Sequence, residues 1–168
     1  MEVKYRVYSS KTGKKGFASL ARKFEQFNTR TQRSGNIITR EVALDIRRDT
    51  RENIRNSFQR QSGILERSPF FRKVYGGSLP TYVVGVGAEY AHFLEYGTGR
   101  YNMLGGGRQD SWVYKSATDG LFYTTYGTPG ALFFSDAVER NLNRYPDKLR
   151  DKFRRDLRWI HNKNYLTH

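Results

Sequence analysis

Apolar positions recur every three or four residues near both ends of the chain and alternate with polar ones between. Val3, Tyr5 and Val7 alternate, predicting a short strand, and Lys11–Gly16 reads as a flexible basic turn. Phe17, Leu20, Phe24 and Phe27 line one face of a helix that ends before Ser34-Gly35. Ile38, Val42, Ile46, Ile54 and Phe58, with Thr50 in the gap, predict a second helix from Ile37 to Gln59. Ser62-Gly-Ile-Leu ends it and opens an extended segment. Lys73-Val-Tyr and Thr81–Gly87 are β-rich, and Gly85 and Gly87 point to a bulge or a close backbone approach. Glu89–Tyr96 reads as a short helix or helical turn with Tyr90, Phe93 and Leu94 on one side. Gly97–Gln109 holds five glycines and reads as a long mobile loop. Trp112-Val-Tyr and Leu121–Thr125 form a hairpin through Asp119-Gly120. From Leu132 or Phe133 a final helix carries Val138, Leu142, Tyr145, Leu149, Phe153, Leu157 and Ile160 on one stripe, with a kink or fresh start at Pro146. The expected class is α+β in a single domain over residues 1–168. It has N-terminal helices, a central antiparallel sheet with a hairpin and mobile loop, and a long C-terminal helix.

Composition makes that core lean. With Gly counted in place of Tyr, 66 of 168 residues are apolar, short of the about 45–50% usual in globular chains. Aromatic residues are 15%. A lean, aromatic-rich chain suits a protomer that completes its packing against neighbours, and equally a strongly solvated monomer. Net charge is +14, distributed as +11 over residues 1–73, −2 over 74–138 and +5 over 139–168. Such a field favours phosphate or acidic protein surfaces as partners. There is no cysteine, which excludes disulfides, thiolate catalysis and cysteine-based zinc sites. No apolar run approaches the roughly 20 residues of a membrane span. The first residues lack the apolar segment of a signal peptide, so a cytoplasmic origin and no membrane association are expected.

Catalytic chemistry has little to build on. The histidines, His92, His161 and His168, show no metal-binding spacing, and His92 reads as a partly buried packing residue. Gly85-x-Gly and Gly97-x-Gly lack the third glycine of a phosphate cradle, and Gly105-Gly-Gly-Arg108 reads as loop. Glu89 and Glu95 are six apart, with no sign of the shaped cleft that paired carboxylates require. No catalytic, cofactor or metal site is expected. Aromatic and charged residues interleave at Tyr5–Tyr8, Phe70–Tyr75 and Arg155–Trp159, a pattern shared by nucleic-acid platforms and amphipathic core segments. Arg47, Arg48, Arg51 and Arg55 lie off the apolar stripe of the second helix. They are either a solvated face with ion-pair partners in Asp45, Asp49 and Glu52, or contacts for DNA or an acidic partner.

Several segments, in order, resemble the tail-completion or neck family of long-tailed phages, the gene-product-ten-like family of lambdoid siphophages. Ser62-Gly-Ile-Leu-Glu-Arg-Ser68 is similar to the entry into that family's sheet. Val84-Gly-Val-Gly followed by Tyr90-Ala-His-Phe-Leu-Glu-Tyr-Gly-Thr-Gly99 resembles its central signature. Trp112-Val-Tyr with Tyr123-Thr-Thr resembles its aromatic hairpin, and Phe133-Phe with Ala137-Val138 and Asn141 the start of its closing helix. The likeness covers about residues 35–145 and leaves 146–168 as a basic helical tail. It departs from the family where prolines usually flank the phenylalanine opening the last helix; Leu132 and Asp136 stand there.

The resemblance implies a non-enzymatic structural protein of the virion neck. It would form a ring, a hexamer by preference, between head connector and tail terminator or tail tube, in non-specific contact with passing DNA. Signature residues Tyr90, Ala91, Phe93, Leu94, Glu95, Tyr96, Gly97, Thr98 and Gly99 would carry assembly. Tyr90, Phe93, Leu94 and Tyr96 would anchor the turn on the sheet, and Gly97 and Gly99 would free the loop. Assembly would take place in the host cytoplasm. Two rival readings fit the charge: a free-standing nucleic-acid-binding protein and a small basic ribonuclease of toxin type.

Overall fold

The computed structural model describes residues 11–58, 63–75 and 80–162. The strand expected at Val3–Val7 lies outside the described residues. The chain divides into two compact units, Met1–Ile38 with Pro146–His168, and Thr39–Tyr145.

The α+β class holds, with differences inside it. In place of two N-terminal helices there is one, α1, from Lys11 to Ser57, and the basic segment expected to be a turn is its first turn and a half. Ser34-Gly35 does not break it. A single glycine inside a helix costs only about 1 kcal/mol relative to alanine, and a Cβ at Gly35 would meet nothing within 4 Å. Ser34 is moreover tied down by its side chain. Ser62-Gly-Ile-Leu does not open an extended segment either: Ile64–Arg67 is one helical turn, α2, entered through Gly63 at φ 75°. The last helix, α4, runs from Ser135 to Asn162 and continues through Pro146.

In the first unit, Asp156 on α4 is 1% exposed yet charged. It accepts a hydrogen bond from the Ser34 hydroxyl at 2.5 Å and from Arg30 Nε at 2.8 Å. The Arg30 guanidinium lies over the Trp159 ring, 4.1 Å from its centroid. The apolar stripe of this part of α1 is not a core: Leu20 and Phe24 are exposed, Phe24 by 65%.

The second unit holds the main core. Ile54, Leu65, Ala91 and Phe133 are buried together, with Phe58, Val86, Ala88, Leu94, Ala131 and Phe134 packed around them. The predicted stripe is the buried face of α1, since Ile38, Val42, Ile46, Thr50 and Ile54 are all buried. Thr50 fits because its hydroxyl donates to the Ile46 carbonyl at 2.7 Å, so no polar group is left unpaired. Asn53 Nδ2 donates to the Phe133 carbonyl at 2.8 Å, and Asn141 Nδ2 donates to Asp49 at 2.8 Å.

The strands do not merge into one central sheet. β1 (Pro69–Val74) pairs antiparallel with β2 (Thr81–Val86), and β3 (Trp112–Lys115) with β4 (Phe122–Thr125), as two separate ribbons. Gly85 sits opposite Phe70 without a bulge; a Cβ there would lie 2.9 Å from the Phe70 ring. The hairpin closes as predicted. Gly120 takes φ 74°, Leu121 N–H donates to Asp119 Oδ1 at 3.1 Å, and the Tyr123 hydroxyl donates to Asp119 Oδ2 at 2.7 Å. That hydroxyl, then the Leu121 amide, holds the Asp119 carboxyl below its ordinary value, and the hydrogen bond to Asp119 in turn raises the Tyr123 phenol.

Burial pushes the Asp156 carboxyl up, but the Ser34 hydroxyl and then Arg30 outweigh it, and the net shift is downward. A carboxyl lowered on folding stabilises the fold above its unfolded value and loses that contribution as pH falls through its folded value. Asp156→Asn should therefore lower the free energy of unfolding at pH 7 by about 1.5–3 kcal/mol for a lost charged partner. The gap to the parent chain should narrow below about pH 4. Urea titrations at pH 7, 5 and 3 read both effects, and a pH-independent gap would assign Asp156 no ionic role.

Candidate functional site

Four signature residues, Glu95, Gly97, Thr98 and Gly99, are set where the chain crosses itself. Ala91–Tyr96 form the short helix α3, and Gly99–Tyr101 a single 3-10 turn. The segment from Tyr126 to Ser135 lies directly against them. Thr98 N–H donates to the Thr128 carbonyl, Arg100 N–H to Tyr126, Ala131 N–H to Leu94 and Leu132 N–H to Glu95, at 2.9 to 3.1 Å. Thr128 N–H returns a bond to the Thr98 hydroxyl at 2.9 Å.

Two backbones can come this close only without side chains. A Cβ on Gly99 would stand 2.1 Å from the Tyr126 carbonyl oxygen, and one on Gly127 2.0 Å from that of Thr98. Gly97 and Gly130 face the same obstruction from backbone atoms of each other's segments. Gly97 and Gly99 also adopt φ 83° and 59°, a region that costs other residues about 1–2 kcal/mol. These glycines therefore do not free the loop; they pin its beginning. Met103 N–H donates back to Tyr96 at 2.9 Å, so the first half of Gly97–Gln109 is bonded to its own chain.

Glu95 has the most specific role. It is 4% exposed, and its two carboxylate oxygens accept the backbone N–H of Phe134 at 2.9 Å and of Ser135 at 2.8 Å. Those groups open α4, where backbone donors have no partner within the helix and the dipole favours negative charge. A residue 40 positions earlier thus caps the last helix. The cap and the crossing hold Leu132 at φ 48°, a left-handed conformation closed to proline, whose ring fixes φ near −65°. A proline, which the resemblance leads one to expect beside Phe133, would not fit at Leu132.

The aromatic members act differently from expectation. Leu94 packs on the core and Ala91 is inside it, whereas Tyr90 and Phe93 face solvent, Phe93 by 50%. Tyr96 is half-buried. His92 is exposed rather than partly buried; its Nδ1 donates to the Glu89 carbonyl at 3.1 Å and its ring lies on Phe93. Asn53, Gly127 and Gly130 escape a sequence reading, because nothing local to them signals a partner dozens of residues away.

Arg47, Arg48, Arg51 and Arg55 line a groove of about 370 Å³ on α1, with Glu52 among them. Arg48 pairs with Asp45 at 2.8 Å and Asp49 at 3.1 Å, and Arg55 with Glu66 at 2.5 Å. The Asp49 hydrogen bond raises the Arg48 guanidinium further above its ordinary value, and the Glu66 bond does the same for Arg55. Arg47 Nε donates to the Pro69 carbonyl at 3.2 Å. Arg51 Nε is buried without a hydrogen-bond partner among the described residues. Two of the four cations are paired, with Asp45, Asp49 and Glu66, and Glu52 lies in the same groove, so four carboxylates stand near four cations and the row is close to neutral. Among the described residues no cluster of His, Cys, Asp or Glu could hold a metal, and no helix is long and apolar enough to cross a membrane.

Comparison with known proteins bears out the resemblance. Residues 18–97 match the family model described as "Bacteriophage HK97-gp10, putative tail-component", a match that ends on Gly97 of the signature. No curated protein and no solved structure matches the chain.

Glu95→Ala should lower stability by about 2–4 kcal/mol, because two buried N–H groups lose a charged acceptor. Far-ultraviolet circular dichroism in urea measures it; a loss under about 0.5 kcal/mol, the scatter of ordinary surface substitutions, would mean that the cap carries no weight. Gly99→Ala should cost about 3 kcal/mol or more, or prevent folding, whereas Gly105→Ala, whose Cβ meets nothing within 4 Å, should cost only about 1 kcal/mol. Equal losses at the two glycines would mean that conformation matters and close approach does not.

Proposed function

With residues 18–97 belonging to a phage tail-component family, we propose that the chain is a structural component of the virion neck. It is a tail-completion protein that joins head to tail as one protomer of a ring, by preference a hexamer. Its neighbours are then the head connector on one side and the tail terminator or tail tube on the other. Its work is mechanical, and no step of catalysis belongs to it.

One observation carries this reading beyond the family match. The β3–β4 hairpin projects Val113, Tyr114, Leu121, Phe122 and Tyr123 into solvent, Phe122 by 71%. Two-stranded ribbons are marginal alone in water, and contiguous exposed apolar surface marks protein–protein contact. The ribbon also has two unpaired edges available for strand addition. The glycine crossing anchors both ends of this excursion, since Thr98–Gly99 precedes it and Tyr126–Thr128 follows it. An anchored, aromatic, open-edged ribbon is suited to seat on a neighbouring subunit.

Disrupting the gene in a phage that carries it, and imaging the lysate by negative-stain electron microscopy, tests the role. Separate filled heads and tails, or joined but defective particles, are expected, with rescue by the parent chain in trans. A Tyr114→Asp, Phe122→Asp double variant should remain folded and fail to rescue. Normal infectious particles after disruption would overturn the reading, and rescue by the double variant would remove the hairpin from it.

A further inference from the structure

The balance of cations and carboxylates differs between the two units in a way that the arginine row on residues 47–55 obscures. Thr39–Tyr145 holds 14 Lys and Arg against 11 Asp and Glu. Residues 11–38 and 146–162, the described part of the other unit, hold 13 against 4, a net +9 in 45 residues. Carboxylates are scarce in this unit, four for 13 cations, so most of its cations have no counter-charge to meet. The ion pairs there are Arg30 with Asp156, Arg150 with Asp147 and Arg154 with Asp151. Arg22, Lys23, Arg33, Arg155 and Arg158 have no ion pair among the described residues.

Within the unit lies a cleft of about 630 Å³ whose lining includes Arg22, Arg30, Arg33, Lys152 and Trp159. Glu25 and Asp156 are its carboxylates. Asp156 is buried and bonded to Ser34 and Arg30, so it orients Arg30 and offsets its charge, which leaves Arg22, Arg33 and Lys152 against Glu25 on the rim. Arg30 is fixed from two sides, by Asp156 through Nε and by the Trp159 ring beneath its guanidinium. Its two terminal nitrogens have no hydrogen bond among the described residues. A guanidinium held in place with free N–H groups is a preorganised donor for a phosphate oxygen.

We propose that this cleft, and not the arginine row of the other unit, is a binding site for the phosphodiester backbone of duplex DNA. The field of Arg22, Arg33 and Lys152 draws the backbone in, and Arg30 supplies the oriented contact. An acidic protein partner fits less well. Protein interfaces are built round an apolar centre, and the cleft offers only Ile37 and Trp159; Leu20 and Phe24 are not part of its lining. A polyphosphate needs no such centre. It asks for a surplus of cations over carboxylates, and its recognition is independent of sequence.

The test is fluorescence anisotropy of the full chain with a labelled 20-base-pair duplex of arbitrary sequence, from 50 to 300 mM NaCl. Arg22→Gln, Arg33→Gln, Lys152→Gln should bind at least about tenfold more weakly at 100 mM salt. Its log–log salt slope should be shallower by about 2.7, or about 0.9 for each of three phosphates that the variant no longer neutralises. Arg47→Gln, Arg51→Gln should stay within about twofold of the parent. Matching melting temperatures confirm that all three chains are folded. Equal weakening by both variants would overturn the assignment, as would absence of binding by the parent chain at 50 mM. Tighter binding of polyglutamate, or of phosphatidylglycerol vesicles, than of the duplex would reassign the cleft to acidic protein or to lipid and overturn the DNA reading.

Discussion

The Glu95 carboxylate, seated on the first backbone N–H groups of α4, is the contact on which the second unit depends. It closes a circuit in which α3 ends at the helix it caps and four glycines let the two backbones meet. A buried charge is costly unless it is bonded. Here the helix terminus supplies both the donors and the favourable potential, so the carboxylate and the helix stabilise each other. Phe133, one residue from that cap, is 1% exposed and lies at the centre of the core with Ile54, Leu65 and Ala91. Shifting the cap would move Phe133 and with it the packing of α1.

The same crossing organises the residues that face outward. Between its two strands the chain leaves as a loop and an aromatic hairpin, and it returns to the same spot. The excursion can therefore expose Phe122 and Tyr123 to a partner without drawing on the core for its own register. Surface and core are separated by a few backbone hydrogen bonds and by the impossibility of a Cβ at Gly99 or Gly127. The family match, over residues 18–97, stops at Gly97, within this crossing.

Electrostatics divides along different lines from those of the chain's thirds. The arginines of residues 47–55 look like the natural anion site in a linear reading, but Asp45, Asp49 and Glu66 sit within salt-bridge distance of two of them. Arg22, Arg30, Arg33 and Lys152, scattered through the sequence, converge on one cleft. Neutralisation, more than the count of cations, decides which surface attracts phosphate.

What the chain determines locally was legible from its residues. The Ile38–Ile54 stripe, the Asp119-Gly120 turn and the β-rich runs each rest on periodicity or on conformations available to few residues, and these are properties of neighbours in sequence; the Glu-Tyr-Gly-Thr-Gly signature was legible only as a resemblance to a family. The α+β class follows from them. Tertiary structure alone decided that α1 runs unbroken past Ser34-Gly35, because the tie that accompanies the glycine is Asp156, 122 residues from Ser34. It also decided that the strands form two ribbons, that Gly97 and Gly99 pin a crossing, and that Glu95 caps a distant helix. Each of these depends on a backbone group or carboxylate brought close by the fold, and spacing along a chain carries no record of what will stand opposite.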